Sequence, residues 1–111
     1  MTLKEKIRHR YLVLEIDFKE AFSSKEFVDA IWEAIFKLFG EYGASKASIK
    51  LIDYDQKEKI AVISTTHKSL NMTRAALTSI TKIADNPVAI HIIKVSGTLK
   101  TLKATQKQKN M

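Results

Sequence analysis

The sequence predicts an α+β protein: a ferredoxin-like βαββαβ two-layer sandwich, laid out like an RNA-recognition motif, with a four-stranded antiparallel sheet and two helices on one face. Three observations predict it. Two segments, 11–18 and 45–54, alternate with a period of two as half-buried strands do, and two further short segments, 59–66 and 89–96, read as strands beside them. Two others carry apolar residues at helical spacing. Their order is strand, helix, strand, strand, helix, strand, and right-handed crossovers then place both helices on the same side of the sheet.

The first strand is 11–18 (YLVLEIDF), with Leu12, Leu14, Ile16 and Phe18 on one side and Tyr11, Val13, Glu15 and Asp17 on the other. Residues 24–39 form the first helix. Ser23 and Glu26 have capping-box spacing, and Phe22 is placed to staple onto Phe27. Gly40 is expected to stop this helix in a left-handed turn, where the missing Cβ removes a steric penalty. Phe27, Ile31, Ala34, Ile35 and Leu38 make the core stripe. A second apolar row, Val28, Trp32, Phe36 and Phe39, is left over, either as a broad core face or as a partner surface.

Residues 45–54 (SKASIKLIDY) are the second strand, 55–58 a polar turn in which Asp53 and Asp55 read as hairpin carboxylates, and 59–66 (KIAVISTT) the third strand. So short a turn makes the two strands antiparallel neighbours. Ser69 or Asn71 caps a second helix over 71–84. Its buried stripe is Met72, Ala75, Ala76, Ile80 and Ile83, with Thr73, Arg74, Thr78, Thr81 and Lys82 outward, and Asn86-Pro87 ends it. Residues 89–96 (AIHIIKVS) close the sheet. If Leu12, Leu14, Ile49, Leu51, Ile90 and Ile92 face the helices, the outer face holds Tyr11, Val13, Glu15, Ile52, Tyr54, His91, Ile93 and Val95. That is apolar for a solvated surface and points to protein contact. The candidate interface residues are therefore Val13, Val28, Trp32, Phe36, Phe39, Ile52, Ile93 and Val95.

At 111 residues the chain makes one domain. It divides into a basic arm (1–10), the α/β body (11–96) and a basic tail (97–111). The arm carries Lys4, Lys6, Arg8 and Arg10 against Glu5, and the tail carries Lys100, Lys103, Lys107 and Lys109 against no acid. The body holds equal numbers of acidic and basic side chains, so the formal +7 belongs to the two ends. Cationic extremities on a neutral body suit a polyanionic partner. There is no cysteine, which excludes disulfides and thiolate sites. No apolar run approaches the roughly 20 residues of a membrane span, and the first residues lack the apolar stretch of a signal peptide. A soluble cytoplasmic protein with no membrane partner is expected.

No constellation carries chemistry. His9, His67 and His91 are scattered, without companions at metal-ligand spacing. The third strand has no aromatic residue, so bases are not expected to stack on the sheet as they do on an RNA-recognition motif. No catalytic residue, metal site or cofactor is expected on this chain. A small-ligand-binding regulatory domain of the ACT type shares the element order, though 17–25 (DFKEAFSSK) lacks the glycine such domains carry after their first strand. An RNA-binding subunit of another ribonucleoprotein also fits the composition.

Five segments carry a more specific resemblance: RHRYLVLEI opening the first strand, LFGEYGAS after the first helix, LIDYDQKEKIAVISTTH across the hairpin, TRAALTSI in the second helix and VSGTLK closing the last strand. In order and spacing they resemble archaeal ribonuclease P protein component 2, over about residues 8–100. The resemblance implies a protein subunit of the ribonucleoprotein that removes the 5′ leader from precursor tRNA, with the chemistry in the RNA and its Mg²⁺. It implies as partners the ribonuclease P RNA, the TIM-barrel-like protein component 3 and other ribonuclease P proteins, with self-association in a heterotetramer. It implies Arg8, Arg10, Tyr11, Arg74, Lys100 and Lys103 as RNA contacts. Lys4, Lys6, Lys68, Lys107 and Lys109 join them on charge and exposure.

Overall fold

The computed structural model describes residues 8–97. Its elements are β1 (His9–Phe18), α1 (Ser24–Lys46), β2 (Ile49–Asp55), β3 (Ile60–Thr66), α2 (Leu70–Ser79), β4 (Lys82–Ile83) and β5 (Asn86–Ser96). The sheet is antiparallel in the order β2-β3-β1-β5-β4. The first four of these have the expected split βαβ arrangement, but the sheet has five strands, not four.

The fifth strand comes from the end of the expected second helix. α2 stops at Ser79 and Ile80 is already extended. Three of the next four positions, Ile80, Thr81 and Ile83, are β-branched and poorly suited to a helix. Lys82 and Ile83 pair with Pro87 and Asn86, and the two-residue turn between them puts Ala84 and Asp85 at φ 52° and 66°. Two positive φ values are what a type I′ hairpin turn requires. Ile83, 1% exposed, still reaches the core, but from a strand.

The start of α1 matches the sequence reading. Ser23 Oγ accepts from Glu26 N at 3.1 Å, and Glu26 Oε1 accepts from Ser23 N at 2.9 Å. The Phe22 and Phe27 rings lie 5.7 Å apart, which forms the staple. Gly40 does not end the helix. It breaks it: with φ 73° and ψ −172° the chain turns there and then re-enters helix as far as Lys46. The segment 45–46, expected in the second strand, belongs to this added turn. That region of backbone space is essentially restricted to glycine, and a Cβ at Gly40 would meet no neighbouring group. Gly40→Ala is therefore expected to cost about 1–3 kcal/mol through backbone strain alone. Denaturant unfolding measures it, and an unchanged midpoint would mean that the break needs no glycine.

One core lies between the sheet and both helices. It joins Leu12, Leu14, Ile16 and Phe18 of β1, Ala61 and Ile63 of β3 and Val88 and Ile90 of β5 to Phe27, Ile31 and Ile35 of α1 and Ala76 and Leu77 of α2. Tyr54 joins it too. Its ring stacks on Phe22 at 5.3 Å and its hydroxyl donates to Phe22 O at 3.1 Å. Burial raises the phenol above its ordinary 10.0; the Gln56 hydrogen bond opposes that and the Glu26 charge adds to it.

Tyr54 was expected on the outer face, as was Val95, and the structure corrects both. β2 has a bulge between Leu51 and Asp53, and β5 has one opposite the Val13/Leu14 step of β1. Each inserts one extra residue, Ile52 and Ile93, and so inverts the alternation beyond it. Thr73, expected outward, is fully buried. Its hydroxyl lies 3.0 Å from Thr65 Oγ1 and donates to Ser69 O at 2.8 Å, while Thr65 Oγ1 donates to Ser48 O at 2.7 Å. The hydroxyls are satisfied within the core, which removes the cost of burying them.

Candidate nucleic-acid interface

The strand register brings the start of β1 beside the end of β5. β1 begins, and β3 and β5 end, at the same end of the sheet: Tyr11 lies between Ser64 and Ser96, and His9 opposite Thr66. The residues before β1 and those after β5 therefore leave from neighbouring strands. Arg8 O accepts from His67 N at 2.7 Å, which fastens the start of β1 to the turn that carries Lys68. Arg10 directs Nη1 to His9 O at 2.9 Å, and a Cβ at Gly97 would come within 3.7 Å of that same nitrogen.

The end of α1 is tied to the same place. Ser69, the N-cap of α2, makes no side-chain cap bond. Its hydroxyl instead donates to Lys46 O and accepts from Ser48 N, both at 3.3 Å. Arg8, Arg10, Lys46, Lys50, Lys68 and Arg74 are thereby gathered around one end of the body, with Lys50 level with Tyr11 across β3. Arg74 stands exposed one turn into α2. Glu41 is the one carboxylate on the α1 segment beyond Gly40.

The far end is different. Asp17, Glu20, Glu26, Asp29, Asp53, Asp55, Glu58 and Asp85 lie there, mixed with Lys19, Lys25, Lys57, Lys59 and Lys82. Asp55 Oδ1 accepts from Lys57 N and Glu58 N at 3.1 and 3.0 Å, the turn role expected of it. A groove of about 670 Å³ between α1 and β4 is lined by Glu26, Asp29, Glu33 and Asp85, which outnumber its Lys37 and Lys82. Its acidic wall would repel a phosphate. The neutral body is thus charge-polarised along its strands. Sequence position alone conceals this, because Lys46, Lys50 and Lys94 join Arg8 and Arg10 only through the register.

Of the expected RNA contacts, Arg8, Lys68 and Arg74 are exposed and Arg10 and Tyr11 half-buried. Tyr11 lies on the outer sheet face against the small cluster Val13, Ile60 and Val62. Lys4, Lys6, Lys100, Lys103, Lys107 and Lys109 lie outside the described residues. Of the expected protein-contact residues, Phe36 is 56% exposed and Phe39, Ile52 and Ile93 are also exposed, while Val28 and Trp32 are half-buried. Val13 is buried between its β3 and β5 neighbours, and Val95 is half-buried on the core side, so neither offers a free outer surface. Among the described residues no group of three or more His, Cys, Asp or Glu side chains could hold a metal ion. No helix among them is long and apolar enough to cross a membrane.

Comparison with known proteins adds a family. The model of the Rpp14/Pop5 family matches residues 10–106. Ribonuclease P protein component 2 of Thermococcus gammatolerans is 34% identical over 102 residues, 92% of this chain and 83% of that protein. The component 2 protein of Methanococcus aeolicus is 33% identical over 89% of this chain and 70% of that protein. Among solved structures, a chain of the cryo-EM structure of yeast ribonuclease MRP shares the fold. Its TM-score is 0.69 at 16% identity, with 96% of this chain and 95% of that chain covered.

Proposed function

Because this chain belongs to the Rpp14/Pop5 family, we propose that it is a protein subunit of ribonuclease P, which binds and stabilises the RNA that cleaves the 5′ leader from precursor tRNA. The single observation that supports this most is the gathering of Arg8, Arg10, Lys68 and Arg74 at the end of the body where β1 starts and β3 and β5 stop.

That arrangement suits one task. A folded RNA brings phosphates close together, and each approach costs electrostatic energy. Arginine and lysine side chains placed between them reduce that cost and release condensed counterions. Arg8, Arg10, Lys68 and Arg74 supply the fixed part of this cationic surface; Lys4, Lys6, Lys100, Lys103, Lys107 and Lys109 supply the part beyond it. The Mg²⁺ that assists hydrolysis belongs in this reading to the RNA. The chain itself contributes charge and position and holds no cofactor. The exposed apolar residues Phe36, Phe39, Ile52 and Ile93 are the surface for protein component 3, for other subunits or for a second copy in a heterotetramer. A cytoplasmic setting goes with the substrate.

Reconstitution tests the reading. Cleavage of precursor tRNA by ribonuclease P RNA with its protein partners is measured over a Mg²⁺ series, with and without this chain. The chain is expected to lower the Mg²⁺ needed. RNA cleavage by the pure protein, abolished by one carboxylate substitution, would overturn the reading.

A further inference from the structure

Among the described residues Tyr42 is the most exposed of the large apolar side chains, at 76%. It is not a stray member of the Trp32, Phe36 and Phe39 row. Gly40 breaks the helix between them, and Tyr42 rides on the short turn beyond the break. That turn is anchored from below: Ser45 Oγ donates to Tyr42 O at 2.6 Å, Ala47 N donates to Gly43 O at 3.1 Å, and Lys46 O accepts from Ser69 Oγ. Lys46 Nζ stands 5.3 Å from the centre of the Tyr42 ring. Ser69 adjoins Lys68, and Ser69 N donates to Thr66 O, which places the ring at the cationic end of the body.

We infer that Tyr42, with Lys46 beside it, is a stacking platform for one unpaired nucleobase of the bound RNA. This rests on the RNA-binding reading and extends it from phosphates to a base. Three features carry it. A solvated aromatic face offers a base the sequence-tolerant stacking that single strands use. A cation at the ring strengthens contact with a base and meets the adjoining phosphate. The helical turn is held by backbone and hydroxyl bonds, so the ring sits on a fixed base rather than a loose loop. A protein partner would meet here a tyrosine flanked by a lysine, whereas an RNA offers a base for the ring and a phosphate for the cation beside it.

The experiment uses the full chain and two probes: a hairpin RNA whose unpaired loop carries 2-aminopurine, and a fully paired duplex. Tyr42→Ala is expected to weaken loop binding roughly 5- to 150-fold, the range for loss of one stacked base. It should leave the salt dependence unchanged, because no charge is removed. Tyr42→Phe keeps the stacking face and is expected to bind within about twofold of the intact chain. Duplex binding should be the same for all three, and 2-aminopurine fluorescence should be quenched by the intact chain and by Tyr42→Phe only. If Tyr42→Ala binds and quenches the loop like the intact chain, the inference is overturned while RNA binding stands. It is overturned equally if that variant loses only protein association. If the intact chain binds neither RNA, the parent reading fails with it.

Discussion

Replacing Arg8, Arg10, Lys68 and Arg74 together by alanine is expected to weaken RNA binding roughly 10²- to 10³-fold at 0.15 M salt. Each phosphate contact contributes a slope of about 0.7–0.9 in log K against log[salt], so one contact is worth several-fold in affinity at that concentration. Four of them multiply. The substituted side chains are exposed or half-buried and contribute nothing to the core, so the fold should survive. Position, not charge count, makes the effect. Replacing Lys19, Lys25, Lys57 and Lys82 by alanine removes the same charge from the far end, among Asp17, Glu26, Asp55 and Asp85. A much smaller loss, within about tenfold, is expected there because those lysines sit beyond a Debye length of about 8 Å from the cationic end. Electrophoretic or anisotropy titration of both variants decides it. Equal losses would show that net charge alone binds the RNA and that the gathering of Arg8, Arg10, Lys68 and Arg74 at one end is incidental.

Phe27→Ala is expected to have the largest effect on stability. Phe27 is completely buried, and its ring centre lies 5.7 Å from Phe22 and 5.9 Å from Tyr54. Removing a buried phenylalanine costs about 3–5 kcal/mol, through lost transfer energy and the cavity left behind. Domains of this size are stable by about 5–15 kcal/mol, so the variant loses a large part of its reserve. The melting temperature should fall by roughly 15–30 °C. Phe36→Ala, further along the same helix and 56% exposed, is expected to change stability by less than about 0.5 kcal/mol. Urea unfolding of the pair checks both figures. Similar losses would mean that the two apolar rows of α1 are equally buried, contrary to their observed packing.

These two phenylalanines show what periodicity can convey. Phe27, Ile31 and Ile35 were legible as core from spacing alone, Leu38 of the same stripe stands exposed instead, and the Ser23–Glu26 box marked the start of the helix because capping chemistry is local. Bulges are not local. Nothing in LIDYD announces that Ile52 is an extra residue, since a bulge is defined by the partner strand, and Tyr54 and Val95 changed face for that reason. Thr73 shares the buried helical phase of Ala76 and Leu77, and was read outward because a hydroxyl that lies against Thr65 across the core and bonds the carbonyl one turn back does not look apolar in a sequence. The cationic ends were visible as composition. The gathering of Arg8 and Arg10 with Lys46 and Lys50 from the balanced body depended on register. Tyr42 was hidden because Gly40 read as a stop rather than a break.

In the proposed function the cationic end formed by Arg8, Arg10, Lys68 and Arg74 neutralises RNA phosphates. The salt dependence of RNA affinity tests it most directly, measured on the intact chain and on the variant lacking Arg8, Arg10, Lys68 and Arg74. For about six to eight neutralised phosphates the intact chain should give a slope of roughly −4 to −7, and the variant a slope shallower by about 3. The same slope for both proteins would contradict the claim.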